Sequence, residues 1–303
     1  MKFSDALDGY WLDKEFQLKP KTANRYSYVF ERFSNFVGDV DVEEITSQDI
    51  KKFLRYLHLE TNLSGRSIFD YYGVLSSFWS WAERELNTEH IIRNKVEKPK
   101  YTKRMIEPVP MADVKKLIDA CTYSAEWEGS RKGRTKRPTA NRDKAIITVM
   151  VDCGIRVSEL CDLAISDYNG KRLYIRQGKG DKERFLPLGT SARRALWRYL
   201  AERKNKYPED PLFATQRIRR MDRNNIGNIF ERLSKRVKIK HVHPHRLRHT
   251  FAVEFLRNGG NPFELRDMLG HTTLTMVMNY VKLAEIDLAN AQRRYSPADK
   301  WRL

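Results

Sequence analysis

The sequence predicts a mainly α protein in two parts: an all-helical amino-terminal domain, then a helix-rich α+β domain with a small antiparallel β-sheet. Three observations predict it. Apolar and aromatic residues recur at helical spacing along most of the chain. The one stretch that reads as paired short strands, about 172–188, lies in the second half. The charge also changes character near residue 97. Up to there, 13 Lys and Arg stand against 16 Asp and Glu, a net of −3; beyond it 44 stand against 23, a net of +21. With 303 residues, two domains are the natural expectation.

Taken in order, helices are expected at about 4–16, 20–37, 47–60 and 64–86. Tyr26, Phe30, Phe33 and Val37 mark one face of the second. Thr46 and Asp49 resemble a capping box that opens the third, and Ser64 can cap the fourth. Tyr71, Val74, Leu75, Phe78 and Trp81 share one side of that fourth helix and read as bundle core. Residues 98–110 (KPKYTKRMIEPVP) hold three prolines and no clear period, so they read as a linker. This sets a first domain at 1–97 and a second at 111–303. The second opens with a helix near Met111. Residues 131–142 (RKGRTKRPTANR) hold six basic residues and no acid, and they read as a solvated loop or as one laid along a phosphate backbone. A helix at about 142–152 follows. Short strands at 172–176 and 184–188 flank QGKGDKE, whose glycines suit a hairpin turn. Helices then fill about 190–205, 222–237, 245–258, 262–269, 272–279 and 282–294.

Composition excludes several classes. No apolar run approaches the roughly 18–20 residues of a membrane span. The start has no apolar signal region, and none of the three cysteines lies in a CxxC, so a cytoplasmic chain is expected. The net charge of +18 favours a polyanionic partner, nucleic acid before membrane.

Five of seven histidines fall at 241, 243, 245, 249 and 271. His245 and His249 are four apart, a spacing that could present two zinc ligands on one helix face. However, no Glu follows His245, and Arg246 and Arg248 between them would repel a cation, so no metal is expected. Arginines interleaved with histidines describe an anion site instead, because guanidinium groups clasp phosphate oxygens and stay charged. Fixed donors of this kind can stabilise a phosphoryl-transfer transition state without a metal. A nucleophile and an acid for the leaving group are still needed, and Tyr and Lys can supply them.

Four segments, in order, carry a resemblance: GIRVSELCDL at 154–163, GKGDKERFLPL at 178–188, HPHRLRHTFA at 243–252 and LGHTTLTMVMNY at 269–280. Together they resemble the first arginine box, the lysine-bearing hairpin, the HxxR box and the histidine-to-tyrosine segment of the tyrosine recombinase (phage integrase) family. The helical residues 1–97 resemble, less specifically, its SAM-like core-binding domain.

The resemblance implies a site-specific recombinase or integrase, Xer-like or from a mobile element, that cuts and rejoins DNA through a 3′-phosphotyrosyl intermediate. It implies Tyr280 as nucleophile, Arg156 and Arg248 as phosphate clamps, and His245 and His271 as partners of the phosphate and of the tyrosine proton. Lys179 would be the acid for the leaving 5′-oxygen, with Lys182 its rival, and Glu159 would hold the donors in place. No cofactor is implied, neither metal nor ATP. The implied partners are double-stranded DNA with an inverted-repeat core site, further copies forming a tetramer, and accessory proteins. The 124–140 loop is longer than the family's usual connection, and Arg131, Lys132, Arg134, Lys136 and Arg137 are expected to touch the DNA backbone.

Each residue has a plainer reading. Tyr280 alone could be a half-buried aromatic, Arg156 and Glu159 a surface ion pair, and His249 a core histidine outside the site. Two other functions compete: a type IB topoisomerase, which would lack site preference, and a DNA-binding protein with a degenerate site.

Overall fold

The computed structural model describes residues 1–102, 106–123, 135–176, 183–203, 206–284, 292 and 296–301. The chain forms two units, Met1–Met105 and Ile106–Leu303. The expected mainly α fold with one small antiparallel sheet is what forms. Among the described residues no helix is long and apolar enough to cross a membrane.

The first unit is a bundle of α1 (Phe3–Lys14), α2 (Pro20–Val37), α3 (Ser47–Leu59) and α4 (Gly65–Glu85). Pro20 sits at the first position of α2, where its missing N–H costs nothing. The Asp49 carboxylate accepts from the Thr46 backbone N–H at 3.0 Å, and Ser64 Oγ from the Ser67 N–H at 3.1 Å, so both helices start where the side chains can cap them. The aromatic stripes pack edge to face. Phe3, Tyr10, Phe30, Phe33, Phe53, Phe78 and Trp79 are all buried, with Phe33–Phe53 centroids at 5.0 Å.

The second unit is built around α6 (Ala140–Cys153), an apolar helix that packs against α8 (Thr190–Glu202) and α10 (Pro244–Arg257). Around it lie α5 (Met111–Ala120), the short α7 (Val157–Asp162), α9 (Arg223–Arg236), α11 (Pro262–Leu269) and α12 (Thr275–Ala284). Strands β1 (Arg172–Ile175) and β2 (Arg184–Pro187) pair antiparallel, with Ile175 opposite Arg184.

Residues 107–109, part of the stretch expected to be a linker, are packed onto this unit. Val109 is buried and its N–H donates to Thr250 Oγ1 at 2.7 Å, while Arg246 bonds the carbonyl of Glu107 at 2.9 Å. Pro108 within it and Pro110 just after it deny this segment a helix, yet leave it carbonyls that α10 can satisfy. Helix α12 begins later than the expected 272, at Thr275, and runs on to Ala284. Most of the expected tail helix lies outside the described residues; beyond it, Pro297–Trp301 is a short helix with Trp301 exposed.

Candidate active site

Glycine decides two of the turns that build the site. α6 ends at Gly154 in the left-handed conformation (φ +61°), and α11 ends at Gly270 likewise (φ +62°). After α11 the N–H of His271 donates to the carbonyl of Arg266 at 3.0 Å and that of Gly270 to Asp267 at 3.1 Å, the paired bonds of a Schellman turn. The turn leaves three consecutive carbonyls, 268 to 270, and an arginine reads each. Arg184 Nε donates to Met268 O at 2.9 Å, Arg248 Nη2 to Leu269 O at 2.7 Å, and Arg156 Nη2 to Gly270 O at 2.9 Å. Cations at a helix carboxyl end also meet the negative pole of its dipole.

Glu159 is buried on α7 and receives four donors. Oε1 accepts from Arg156 Nη1 at 2.6 Å and Arg184 Nη1 at 3.0 Å; Oε2 accepts from Arg184 Nη2 at 2.8 Å and the Arg156 backbone N–H at 3.0 Å. Burial works against the charged form, but the bonds and charge of Arg184, then of Arg156, outweigh it and hold the carboxyl below its ordinary value. Arg248 is buried on α10 and also reaches Gly154 O at 2.7 Å. Its burial and the neighbouring Arg156 bring its pKa down to about 10, so it stays charged at neutral pH.

Histidines and the tyrosine lie beside these arginines. Arg248 Nη2 stands 3.1 Å from His271 Nε2. A guanidinium can only donate, so Nε2 accepts and the ring proton sits on Nδ1, which is buried without an acceptor among the described residues. Burial and then Arg248 pull the His271 pKa down to about 4, so the ring is neutral at pH 7. The Tyr280 ring stacks on His271 at 6.2 Å and lies 5.2 Å from His249, whose Nε2 contacts His245 Nε2 at 3.1 Å. Tyr280 is 5% exposed; burial raises its pKa, against the pull of Arg248 and then Arg156. Partial enclosure and the charges of Arg248 and Arg156 lower that of His245.

The structure thus brings Arg156, Glu159, His245, Arg248, His271 and Tyr280 together. Lys179 and its rival Lys182 lie outside the described residues, as do Arg131, Lys132 and Arg134. Lys136 is exposed and bridges to Tyr123 at the base of the long loop. Arg137, expected to touch the DNA backbone, rests elsewhere in the free protein. It is turned inward onto buried Asp143 at 2.6 Å and is 11% exposed, because Asp143, also held by Arg142, needs a second strong donor. Two residues beside the site stand outside the candidates that the motifs name: Arg184, which reads in sequence as a strand residue, and His249, which reads as a core histidine. The signal for Arg184 is its place directly after the hairpin turn, at the start of the second strand; for His249 it is the shared helix face with His245.

This arrangement offers fixed donors for an anion beside a buried phenol. Known proteins resemble the chain in sequence and fold. The description "Phage integrase family" matches residues 109–286, and "Phage integrase, N-terminal SAM-like domain" matches residues 14–88. The tyrosine recombinase XerC of Bacillus subtilis is 30% identical over 276 residues, covering 88% of this chain and 86% of that protein. The Tn1549 transposon integrase in complex with circular intermediate DNA is 19% identical, with TM-score 0.76 over 97% of this chain and 99% of that one. A lambda integrase dimer bound to a COC′ core site is 21% identical, with TM-score 0.72 over 91% and 97%. These two show the shared fold; the family match over more than half of the chain, with the XerC relative, shows descent: the chain belongs to the phage integrase family of tyrosine recombinases.

Proposed function

We propose that this recombinase cuts one DNA strand at a time with Tyr280 as the nucleophile. The phenol oxygen attacks the scissile phosphorus, a Tyr280–3′-phosphate bond forms, and the bond to the 5′-oxygen breaks. The phenol proton leaves toward His245, whose partial enclosure beside Arg248 and Arg156 favours the neutral, proton-accepting ring, and whose neighbour His249 lies 5.2 Å from the Tyr280 ring. The departing 5′-oxygen takes a proton from Lys179. Arg156 and Arg248 hold the nonbridging oxygens, where charge gathers in the transition state. Religation by a 5′-hydroxyl from another duplex reverses the same steps. Bond energy is kept in the phosphotyrosine, and charge is supplied by arginine, so the cycle needs neither metal nor ATP.

The observation that carries this reading is the buried Tyr280 ring set against His271 and His249, beside two arginines whose charge favours its ionised form. DNA is the partner. The core site as an inverted repeat, assembly as a tetramer and help from accessory proteins extend the reading, as does action in the cytoplasm. The solved complexes of similar fold, one with circular intermediate DNA and one with a core site, support DNA as the partner.

Covalent capture tests it. Purified protein is incubated with genomic fragments in EDTA and denatured, and the DNA still bound to protein is sequenced. Adducts concentrated at one inverted repeat, absent with Tyr280→Phe, are expected. Scattered adducts would point to a topoisomerase, and equal yield from Tyr280→Phe would remove Tyr280 from the reaction.

A further inference from the structure

We infer that Arg184 is a positioning residue for strand cleavage: it locks the lysine-bearing hairpin onto the same turn that aligns Arg156, Arg248 and His271. The inference rests on the reading of Tyr280 and Arg156 above and adds to it a residue with no contact to the reacting atoms.

Three features of Arg184 support it. Its guanidinium grips both oxygens of Glu159 (3.0 and 2.8 Å) while its Nε holds Met268 O (2.9 Å), so one planar group joins β2, α7 and the end of α11. It is the first residue of β2 and therefore fixes where the chain that bears Lys179 and Lys182 returns to the domain. It also shares Glu159 Oε1 with Arg156. Without it a buried carboxylate would be matched by Arg156 alone. That would neutralise the cation meant for the phosphate and leave two acceptor positions empty.

The fit around Arg184 is close. A Cβ placed on Gly270 would come within 3.1 Å of its Nη1, and the side chain is only 11% exposed. Such enclosure has no use for a residue that merely solubilises a strand. A lysine could supply the charge but not the three-way fork.

The test compares the full-length wild type with Arg184→Met, Arg184→Lys, Glu159→Gln and Glu159→Gln/Arg184→Met. Single-turnover cleavage of a nicked core-site DNA, DNA affinity, thermal midpoint and amide exchange at 183–188 are measured. Arg184→Met should cleave at least about 100-fold more slowly, the scale of a misplaced catalytic group, with DNA affinity within about threefold. Arg184→Lys should stay slow, and exchange at 183–188 should rise in both variants without DNA. The double variant should recover part of its midpoint relative to Arg184→Met, since the buried carboxylate left short of donors is gone, yet remain slow. Recovery of cleavage together with the midpoint would overturn the inference, as would full activity of Arg184→Lys. Failure of the wild type to form an adduct would strike the Tyr280 reading instead, and the exchange measurement would still report whether Arg184 locks the hairpin.

Discussion

Asp143 and Glu159 invite comparison, because each is a buried carboxylate ringed by arginines in the second unit. Asp143 takes Arg137 at 2.6 Å, Arg142 at 2.8 Å and, more distantly, Arg232 at 3.5 Å. Glu159 takes Arg156 and Arg184. The difference lies in what the arginines do with their remaining donors. Arg137 and Arg142 turn theirs to the carbonyls of Cys121 and Ala214, which knits the base of the long loop and the 212–222 segment to α6. Arg156 and Arg184 spend theirs on the turn that ends in His271, with Arg248 and Tyr280 alongside. A ring of arginines is therefore not in itself a site. It becomes one where the same groups are shared with titratable rings and a nucleophile.

The largest expected effect follows directly. Asp143→Asn removes the countercharge from buried guanidinium groups and should cost about 3–5 kcal/mol of stability. Denaturant unfolding checks this, while cleavage by the fraction that remains folded should stay close to wild type. Glu159→Gln should reverse the pattern in the active fraction, slowing cleavage markedly at unchanged DNA affinity. Equal slowing of the folded fraction in both variants would mean that the two clusters do not differ in kind.

The two left-handed glycines sharpen the same contrast. In Gly154→Ala the new Cβ would lie 2.3 Å from Phe251 Cδ1, and alanine at φ +61° is strained besides. Steric strain of this sort costs about 1–3 kcal/mol. In Gly270→Ala the Cβ meets only the end of the Arg184 side chain, so the stability loss should be nearer about 1–2 kcal/mol, mostly backbone strain. Its effect on cleavage should be the greater of the two, because Arg184 must shift and the carbonyl held by Arg156 shifts with it. Thermal midpoints and single-turnover rates measured on both variants would show whether fold and site separate in this way.

A smaller effect concerns acid. His271 titrates near pH 6.5 in the unfolded chain and at about 4 in the folded one. As pH falls through that window the unfolded state binds the proton first, so stability declines and the His271 contribution is fully spent below pH 4. His245, His241 and His90 are shifted in the same direction and add to the slope. His271→Gln should flatten it, as read from denaturation midpoints between pH 4 and 6.5. An unchanged slope would mean that the ring is not withdrawn from protonation as its burial against Arg248 requires.

Much of this was legible in sequence because it is local. The helices of the first unit follow from stripes such as Tyr71, Val74, Leu75 and Phe78, and their starts from Thr46 and Ser64. Arg156, His245, Arg248, His271 and Tyr280 stand in motifs that could be read one by one, and the fold brings all five together. What was hidden is tertiary. Nothing near Arg184 announces that its partners are Glu159, 25 positions earlier, and a carbonyl at 268. The inward turn of Arg137 depends on a carboxylate that becomes buried only when α6 packs. A run of basic residues reports charge, but not the direction in which each side chain points.

The smallest effect bears on that last point and on the long loop. Lys136 and Arg137 are neighbours in one basic run, yet Lys136 is exposed whereas Arg137 is enclosed beside Asp143. If Lys136 meets a DNA phosphate, Lys136→Gln should reduce the slope of log affinity against log salt by up to about 1, with no change in thermal midpoint. Arg137→Gln should leave the salt slope alone and lower the midpoint, since what it loses is a buried partner. Fluorescence titrations at several salt concentrations, paired with melting curves, separate the two. A fall in salt slope with Arg137→Gln would show that its guanidinium leaves Asp143 when DNA arrives, and that the Asp143 cluster is nearer in character to the Glu159 cluster than their resting contacts indicate.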